Sequence, residues 1–383
     1  MMKVDPEHRL VQILKEQKID CVATLPCDKA QAFLALVTQN FSEIPLTREA
    51  DGFGICAGLV LAGRRPAMLI QNTGLGNAVT DIASLFQVYQ LPLPVLVSWR
   101  GVYKETIEVQ KNLGQKIPAL LQALGVPHTV VEREEDLPLV SSAIEDAYRH
   151  QTVHAILLSP RLWEGSSFSP TPNEIRRKHR ENEHPQTVAV KSRREVTGDE
   201  LTRYGAIKLI MGAADQQIVI GHTGIPSKEL FAIRDRPLNF YMLGSLGLAT
   251  PIGIGLSMGQ EREVWVLDGD GALLLNPNAL FSLRMFGRSN LTVFAIDNAS
   301  WGSTGNQVTP TLDYFDLELL ARSCGIRNTH KVRNAAELQE ALQVRGDGPR
   351  FIHFITAPGN ANVPNVPLSP PEIKERFLAA LRD

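Results

Sequence analysis

Long apolar segments are missing from this sequence. A membrane-spanning helix needs about 20 consecutive apolar residues, and no run in the 383 residues approaches that length. Residues 1–19 carry charges throughout and lack an apolar centre followed by a small-residue cleavage site, so they do not resemble a secretory signal. We therefore expect a soluble, cytoplasmic protein.

Cysteine is also scarce, and the net charge is close to zero. The four cysteines (Cys21, Cys27, Cys56 and Cys324) form no C-x-x-C pair, so neither a zinc site nor a disulfide framework is indicated. A formal net charge of −2 gives no electrostatic reason to expect nucleic-acid binding. Cys27 alone follows a short apolar run and begins a turn-like segment that could face a ligand.

Length and composition are those of a two-domain globular protein. Hydrophobic residues make up 44% and charged residues 21% of the chain. Residues 173–195 contain eleven charged residues and no apolar periodicity, which is typical of a linker. We predict a first domain over 1–163, a charged linker over 164–198 and a second domain over 199–383.

Short apolar runs alternate with helical patterns in both predicted domains. The runs are the candidate strands 21–24, 67–70, 94–98, 218–220, 264–267, 291–296 and 351–355. Nearly all their residues are apolar, as expected for parallel strands that helices cover on both faces. We predict an α/β fold with two mainly parallel sheets. Ligands should bind in the turns after the strands, such as 71–77 and 99–104, where open α/β sheets place them.

Two strand ends in the second domain contain residues that suit a cation and a phosphate. The strand 264–267 leads into Asp268-Gly269-Asp270-Gly271, and the strand 291–296 leads into Asp297-Asn298. A carboxylate and an amide oxygen are ligands for Mg²⁺, which also binds phosphate. The glycines allow the main chain to approach phosphate oxygens closely. A magnesium diphosphate site is the interpretation we favour.

This spacing resembles the signature of thiamine diphosphate enzymes, G-D-G followed after about thirty residues by N-N or D-N. The resemblance implies that the side chains of Asp270 and Asn298 and the carbonyl oxygen of Ser300 bind Mg²⁺. It also implies that Gly269, Gly271 and Ala272 contact the cofactor, and that Thr223 contacts its diphosphate. The first residue of the usual N-N pair is Asp297 here, which leaves the ligand position intact.

A second element of that family precedes the motif. Gly244-Ser245-Leu246-Gly247, before an apolar Gly-rich helix, resembles the element under the middle of the cofactor. The resemblance makes Leu246 the wedge that bends the cofactor, and gives the Gly244 carbonyl a bond to its amino group. A dinucleotide loop at 253–255 is disfavoured, because this segment follows a turn rather than a strand.

Glu49 is the candidate catalytic acid. It lies at the start of a small-residue helix over residues 54–62, where a carboxylate is also favoured simply by the helix dipole. In the family a matching glutamate hydrogen-bonds N1′ of the pyrimidine ring. A poorly solvated carboxyl group suits that role, because burial raises its pKa.

Within the family, the two-domain layout resembles sulfopyruvate and phosphonopyruvate decarboxylases. Larger members have a central domain, whereas only the linker stands there in this chain. The segment 71–77 resembles the Q-N/S-S-G-x-G-N loop of both groups, which lines the reaction centre. Trp99-Arg100-Gly101 begins like the phosphonate enzymes, but Gln110-Lys111 replaces their Gln-His. The sulfopyruvate group is therefore favoured, as a fusion of its separate α and β chains in that order.

A substrate with two anionic groups needs fixed positive charge near the reaction centre. The candidates after the first-domain strands are Arg100, Lys104 and Lys111, with Asn72 and Asn77 as additional polar contacts. His222, after the strand 218–220, would contact the substrate or simply cap a loop. The sequence does not decide which basic residue binds the second anionic group.

The combined prediction is a Mg²⁺- and thiamine diphosphate-dependent decarboxylase that acts on sulfopyruvate. The resemblance further implies a homodimer or dimer of dimers with the active site at the subunit interface. The alternatives are a phosphonopyruvate decarboxylase, a carboligase and a non-catalytic cofactor-binding protein. A non-catalytic form should have lost Glu49 or Asp270, and both are present.

Overall fold

The computed structural model describes residues 5–169 and 201–382, and the chain divides into two compact units, Met1–Glu181 and Asn182–Asp383. Most of the predicted linker lies outside the described residues. Within the described ranges, no helix is both long and apolar enough to cross a membrane.

The first unit is a parallel sheet with helices between its strands. Its strands are β1 (Cys21–Thr24), β2 (Ser42–Pro45), β3 (Pro66–Gln71), β4 (Leu93–Ser98), β5 (His128–Val131) and β6 (Val153–Leu158). Its helices are α1 (Pro6–Glu16), α2 (Gln31–Asn40), α3 (Glu49–Leu61), α4 (Asn72–Asn77), α5 (Val79–Asp81), α6 (Glu108–Gly114), α7 (Ile117–Ala123) and α8 (Leu137–Arg149). Three 3₁₀ turns lie at Asp28–Ala30, Glu134–Asp136 and Pro160–Trp163, and a π-helical turn at Ile82–Gln87 continues α5.

The second unit repeats this plan. Its strands are β7 (Ile218–Gly221), β8 (Asn239–Tyr241), β9 (Val264–Gly269), β10 (Leu291–Asp297), β11 (Ser300–Trp301), β12 (Gln307–Val308), β13 (Asn328–Val332) and β14 (Arg350–Ile355). Its helices are α9 (Arg203–Ala213), α10 (Ile225–Ile233), α11 (Ala249–Gly259), α12 (Asp270–Leu275), α13 (Asn278–Phe286), α14 (Leu317–Ser323), α15 (Ala335–Gln343) and α16 (Pro370–Arg382).

The two six-stranded sheets have the same strand order. The first is β2-β1-β3-β4-β6-β5, and the second, β8-β7-β9-β10-β14-β13, follows the same order in chain sequence. All pairs in both sheets are parallel. The prediction of two mainly parallel sheets is confirmed, and the described residues form no third domain. In each sheet the order of strands reverses between the first and third strands of the chain, β1 and β3 in one unit and β7 and β9 in the other. Open α/β sheets bind ligands at such a switch point.

Helices cover both faces of the first sheet, which explains its apolar strands. Ala67 and Leu69 of β3 belong to a buried cluster with residues of α1, α2 and α8. Met68, on the opposite face of β3, lies against α3, where its Cε is 2.7 Å from the position of a Cβ at Gly52. A four- to six-residue strand buried in this way needs no polar face, so the apolar runs were a reliable signal.

Two segments differ from the prediction. Residues 71–77, expected as a turn, form the end of β3 and helix α4. Lys111, expected in a loop, lies in α6. Helices α4 and α6 are short and contain glycine, so their intrinsic helix propensity is weak. They form because α4 packs on α6 and on the ends of β3 and β4.

A glycine pair tests how closely α11 must approach the second sheet. A Cβ at Gly253 would lie 2.3 Å from Cγ2 of the buried Val266 on β9, whereas a Cβ at Gly212 in α9 would meet no atom within 4 Å. We expect Gly253→Ala to lower the free energy of unfolding by about 1–3 kcal/mol through overpacking. Gly212→Ala should raise the free energy of unfolding by about 0.5 kcal/mol, because alanine is the better helix former. Urea unfolding midpoints of the two variants measure the difference, and equal midpoints would contradict the close approach.

Candidate active site

The predicted cation and diphosphate residues come together at the carboxyl ends of β7, β9 and β10. Parallel pairing of β9 with β10 sets Gly269 beside Ile296, so Asp270 and Asn298 follow neighbouring strand ends. They line one cavity of about 230 Å³. Of the predicted residues, this cavity is lined by Thr223, Leu246, Gly269, Asp270, Gly271, Ala272, Asn298 and Ser300.

The glycines of the motif are needed because the main chain here has close neighbours. A Cβ at Gly269 would lie 2.8 Å from Nε2 of His222, and one at Gly271 would lie 2.3 Å from Cζ3 of Trp301. Gly269 and Gly271 therefore present only main chain to the cavity that they line. The approach of phosphate oxygens to their amides stays a prediction.

The backbone is unusual between Asn298 and Ser300, the two predicted ligands after β10. Ala299 has a φ of 52°, which a non-glycine residue rarely adopts. Its amide donates to Asp297 Oδ1 at 2.9 Å, and the Ser300 amide donates to Asn298 Oδ1 at 3.2 Å. Strain of this kind persists where the surroundings impose it, often at functional sites. The reversal at Ala299 brings Asn298 and Ser300 to the same cavity.

Asp270 is held from behind by two hydroxyl groups. The Thr309 hydroxyl donates to Asp270 Oδ2 at 2.5 Å, and the Thr311 hydroxyl lies 3.4 Å from the same oxygen. All three side chains are buried. These threonines escaped the sequence analysis because they lie about forty residues downstream, in a segment without a recognisable motif.

The loop 244–247 lies beside the same cavity. Leu246 lines it and is 39% exposed, while Gly244 and Ser245 precede Leu246 in the loop. Ser245 has a φ of 60° and Gly247 a φ of 92°. The Asn276 side chain donates to the Gly247 carbonyl at 3.0 Å, which fixes the loop against the end of α12.

Two cavity residues were missed or left undecided by the sequence analysis. Arg203, the first residue of α9, donates to both oxygens of the buried Glu229 at 2.8 and 3.1 Å, and it also lines the cavity. Burial lowers the pKa of His222 to about 3, with the Arg203 charge as a second cause, so its imidazole is neutral at physiological pH. A lone arginine at a helix start gave no signal in the sequence.

In the first unit, Glu49 is the first residue of α3 and is half-buried. Its side chain lies directly against α4, since a Cβ at Gly74 would be 2.3 Å from Glu49 Oε1. Of the two predicted amides on α4, Asn72 is buried and its Oδ1 accepts from the Arg100 amide at 2.7 Å, whereas Asn77 is exposed. The segment 71–77 therefore lies beside the candidate acid.

Arg100 is buried and paired with two carboxylates. It donates through Nε to Glu105 Oε2 at 2.7 Å and through Nη2 to Glu105 Oε1 at 3.0 Å, and Glu105 is also buried. Its third arm, Nη1, donates to Asp28 Oδ1 at 2.5 Å, and the Asp28 side chain is 57% exposed. Arg100 lowers the pKa of Glu105 to about 2, so that carboxylate remains ionised. The Arg100–Glu105 pair is buried, while the Arg100–Asp28 pair faces solvent.

The predicted lysines also have partners. Lys104 Nζ lies 2.5 Å from Glu164 and Lys111 Nζ lies 2.9 Å from Glu108, and both pairs are solvent-accessible. Exposed pairs of this kind contribute about 0–1 kcal/mol to stability, so a ligand can replace them.

Cys27 Sγ accepts from the Ser98 hydroxyl at 3.1 Å and contacts Gln71 Oε1 at 3.3 Å. It is packed between strand ends of the first sheet.

The residues at the second-unit cavity fit a magnesium diphosphate. The donor set consists of a carboxylate, an amide and a carbonyl oxygen, which are hard ligands suited to Mg²⁺. The Asn298 Nδ2 atom is buried and, within the described residues, has no hydrogen-bond partner, so it can donate to a phosphate oxygen. The described residues contain no group of three or more His, Cys, Asp or Glu that could hold a metal.

Comparison with known proteins identifies both units. Residues 5–122 match the family of the thiamine pyrophosphate enzyme N-terminal TPP binding domain. Residues 220–354 match the thiamine pyrophosphate enzyme C-terminal TPP binding domain. Thiamine pyrophosphate is another name for thiamine diphosphate.

The chain is similar along its whole length to a sulfopyruvate decarboxylase of Methanosarcina acetivorans, with 44% identity over 100% of this chain and 99% of that protein. A phosphonopyruvate decarboxylase of Streptomyces viridochromogenes is 28% identical over 94% of this chain and 91% of its own. The sulfopyruvate decarboxylase subunit beta of Methanothermobacter thermautotrophicus is 42% identical over 48% of this chain and 96% of that subunit.

Solved structures share the fold. The thiamine diphosphate-dependent 4-hydroxybenzoylformate decarboxylase of Rhodococcus jostii RHA1 superposes with a TM-score of 0.72 at 13% identity, over 94% of this chain and 100% of that one. At this identity the likeness supports the fold alone. It agrees with the two-sheet architecture described above.

Proposed function

The chain belongs to the thiamine pyrophosphate enzymes, in the family that includes sulfopyruvate decarboxylase, and on this premise we propose that it converts 3-sulfopyruvate to sulfoacetaldehyde and CO₂. The similarity that supports this substrate covers the full chain at 44% identity, against 28% for the phosphonopyruvate enzyme. The reaction would serve coenzyme M biosynthesis or sulfonate metabolism. The enzyme class is a carbon–carbon lyase dependent on thiamine diphosphate.

The cavity of the second unit would hold the cofactor's diphosphate. Asp270, Asn298 and the Ser300 carbonyl would bind Mg²⁺, and the main chain at 269–272 would donate to phosphate oxygens. When bound, thiamine diphosphate supplies the nucleophile and the electron sink that decarboxylation of a 2-oxo acid requires. Leu246, which lines this cavity, would support the middle of the cofactor.

Glu49 is the proposed catalytic acid. Its carboxyl group would hold a proton in a hydrogen bond to N1′ of the cofactor's pyrimidine ring. This role needs a fixed orientation, because a displacement of about 1 Å in a reacting geometry can cost roughly 10²-fold in rate. The contact with Gly74 supplies that orientation from the α4 side.

The substrate assay tests the proposal directly. With Mg²⁺ and thiamine diphosphate, the purified protein should release CO₂ from sulfopyruvate faster than from phosphonopyruvate or pyruvate. Glu49→Gln should abolish most of that release, because an amide cannot exchange a proton with N1′ of the pyrimidine ring. A clear preference for phosphonopyruvate would overturn the substrate but not the reaction class, and a fully active Glu49→Gln variant would overturn the role of Glu49.

A matched pair of glycine variants tests the orientation of Glu49. Gly74→Ala should lower kcat by about 10²-fold, since its Cβ would displace the Glu49 carboxyl group. Unfolding should change little, because the displaced atoms are the end of a flexible side chain. Gly76→Ala in the same helix, where a Cβ would make an ordinary 3.4 Å contact with Leu113, should keep its kcat. Equal rates for both variants would show that Glu49 does not need this contact.

The proposed substrate contacts lie at the strand ends of the first unit. Glu105 fixes Arg100 through two arms, and the exposed Asp28 occupies the third. We propose that the sulfonate of the substrate replaces Asp28 at Nη1 of Arg100. Lys104, Lys111, Asn72 and Asn77 would supply the remaining polar contacts.

Removing the competing carboxylate should therefore strengthen substrate binding. We expect Asp28→Asn to lower KM for sulfopyruvate about threefold to tenfold with little change in kcat, because a charged competitor is lost. Glu105→Gln should raise KM by at least about tenfold, since the guanidinium loses its fixed orientation. Steady-state kinetics measure both, with Glu16→Gln, an exposed acid paired with Arg9, as a control for a surface charge change. An unchanged KM in Asp28→Asn would remove Arg100 from the substrate site.

A homodimer or dimer of dimers would bring Glu49 of one protomer to the cofactor cavity of its partner. Exposed apolar side chains of the second unit support an interface. Phe281 and Met285 are one helical turn apart on α13 and are 44% and 43% exposed. Leu243, Leu246 and Leu275 are also exposed. Apolar surface of this kind is typical of contacts between subunits.

Charge introduced on α13 should break this interface. We expect Phe281→Glu/Met285→Glu to elute as a monomer in size-exclusion chromatography with light scattering, and to lose activity, because buried unpaired carboxylates oppose association. Val344→Glu, at an exposed valine after α15, should leave the assembly intact. A wild-type protein that is monomeric and active would contradict the shared site.

A further inference from the structure

A cluster of buried charges lies behind the cation site of the second unit. Asp297, His353, Asp316 and Lys331 have side chains that are 3–7% exposed, and Glu318 extends the cluster toward Arg322. The residues come from β10, β14, β13 and α14 with its N-cap. The proposed function has no role for this cluster.

His353 is at its centre. On β14 it pairs in register with Ala295 of β10 and with Lys331 of β13. Its Nε2 lies 3.0 Å from Asp297 Oδ2, and its Nδ1 lies 3.6 Å from Asp316 Oδ1. The imidazole therefore stands between two carboxylates.

Two buried threonines connect Asp297, the partner of His353, to the cation site. The other oxygen of Asp297, Oδ1, accepts from the Thr311 hydroxyl at 2.8 Å, and the Thr309 hydroxyl donates to Asp270 at 2.5 Å. The two hydroxyl oxygens are 2.9 Å apart, so Thr311 and Thr309 are in direct contact. Asp297 also directly precedes Asn298 in the chain. Whatever fixes Asp297 thus acts on both predicted side-chain ligands.

The charges balance only if His353 is a cation. The cluster contains three carboxylates, those of Asp297, Asp316 and Glu318, and two other cations, Lys331 and Arg322. Burial by itself lowers the pKa of His353, but its hydrogen bond with Asp297 and the negative charge of the nearby Asp316 outweigh burial and raise it. A buried carboxylate without a cation is costly, so Asp297 needs such a partner. The signature allows either Asn or Asp at this position, and only the Asp form needs such a cation.

We propose that His353 is a positioning residue of the cofactor site: as the cation paired with Asp297, it fixes the Thr311–Thr309–Asp270 chain and Asn298 in the orientation that receives Mg²⁺. The inference rests on the proposed function, in which Asp270 and Asn298 bind the cation. The Asp297–His353 pair would then do together what the single Asn does in relatives with the N-N signature.

The test measures cofactor binding rather than activity. Mg²⁺ is titrated into the full-length protein with thiamine diphosphate present, and binding is followed by calorimetry and by the tryptophan fluorescence, to which Trp301 at the cavity contributes. His353→Gln should raise the apparent Kd for Mg²⁺ about 10- to 100-fold, as removal of a group behind a metal ligand typically does. Asp297→Asn/His353→Gln should return the Kd to within about threefold of wild type, because no unpaired charge remains.

His154 provides a matched control. It is buried on β6, the equivalent strand of the first sheet, and its Nε2 lies 2.9 Å from the Thr129 hydroxyl. His154→Gln should change stability without changing the Kd. A wild-type Kd in His353→Gln, or a double variant no better than the single one, would overturn the inference.

Two further variants keep the test decisive. If His353→Gln does not fold, Thr311→Val breaks the same chain without changing any charge and should raise the Kd about tenfold, and an unchanged Kd would overturn the inference. Asp270→Asn separates the two proposals. If it leaves Mg²⁺ binding intact, the proposed cation site itself fails. If it abolishes binding while His353→Gln and Thr311→Val do not change it, only the inference about His353 fails.

Discussion

The parallel pairing of β9 with β10 is the constraint on which the second unit depends. Its register sets Gly269 beside Ile296, so that two loops from distant parts of the chain end at one edge of the sheet. The cavity, the strained turn at Ala299 and the two threonines behind Asp270 all follow from that edge. A slip of one residue would turn each side chain to the opposite face and separate the ligands.

Buried charge pairs fix the groups that the proposed chemistry needs. Arg100 with Glu105, Arg203 with Glu229 and His353 with Asp297 each join two buried side chains at a strand or helix end. Pairs of this kind are weak sources of net stability, since desolvation offsets most of the attraction. Their value here is orientation. Each holds its side chains in one direction, and in the proposed function these directions serve the substrate, the cavity and the cation ligands.

Sequence patterns were informative where the physics is local. Apolar runs identified seven strands, because a parallel strand covered on both faces must be apolar at every position. The run 351–355 nevertheless contains His353, and only its neighbours on β10, on β13 and at the start of α14 explain how a histidine is tolerated there. The segment 71–77 was predicted as a turn because its glycines oppose helix formation. Its helix depends on packing that no local pattern reports.

By itself, the sequence determined the two-sheet α/β fold, the family and the positions of the G-D-G and D-N motifs, since these depend on short-range spacing and residue type. Tertiary structure decided which charges are already paired. Arg100 seemed a free cation in the sequence, and its partners Asp28 and Glu105 lie 72 and 5 residues away. Thr309, Thr311 and His353 meet Asp270 and Asp297 only because separate strands end at one edge. Such contacts arise from chain topology, which brings together residues that no sequence window contains.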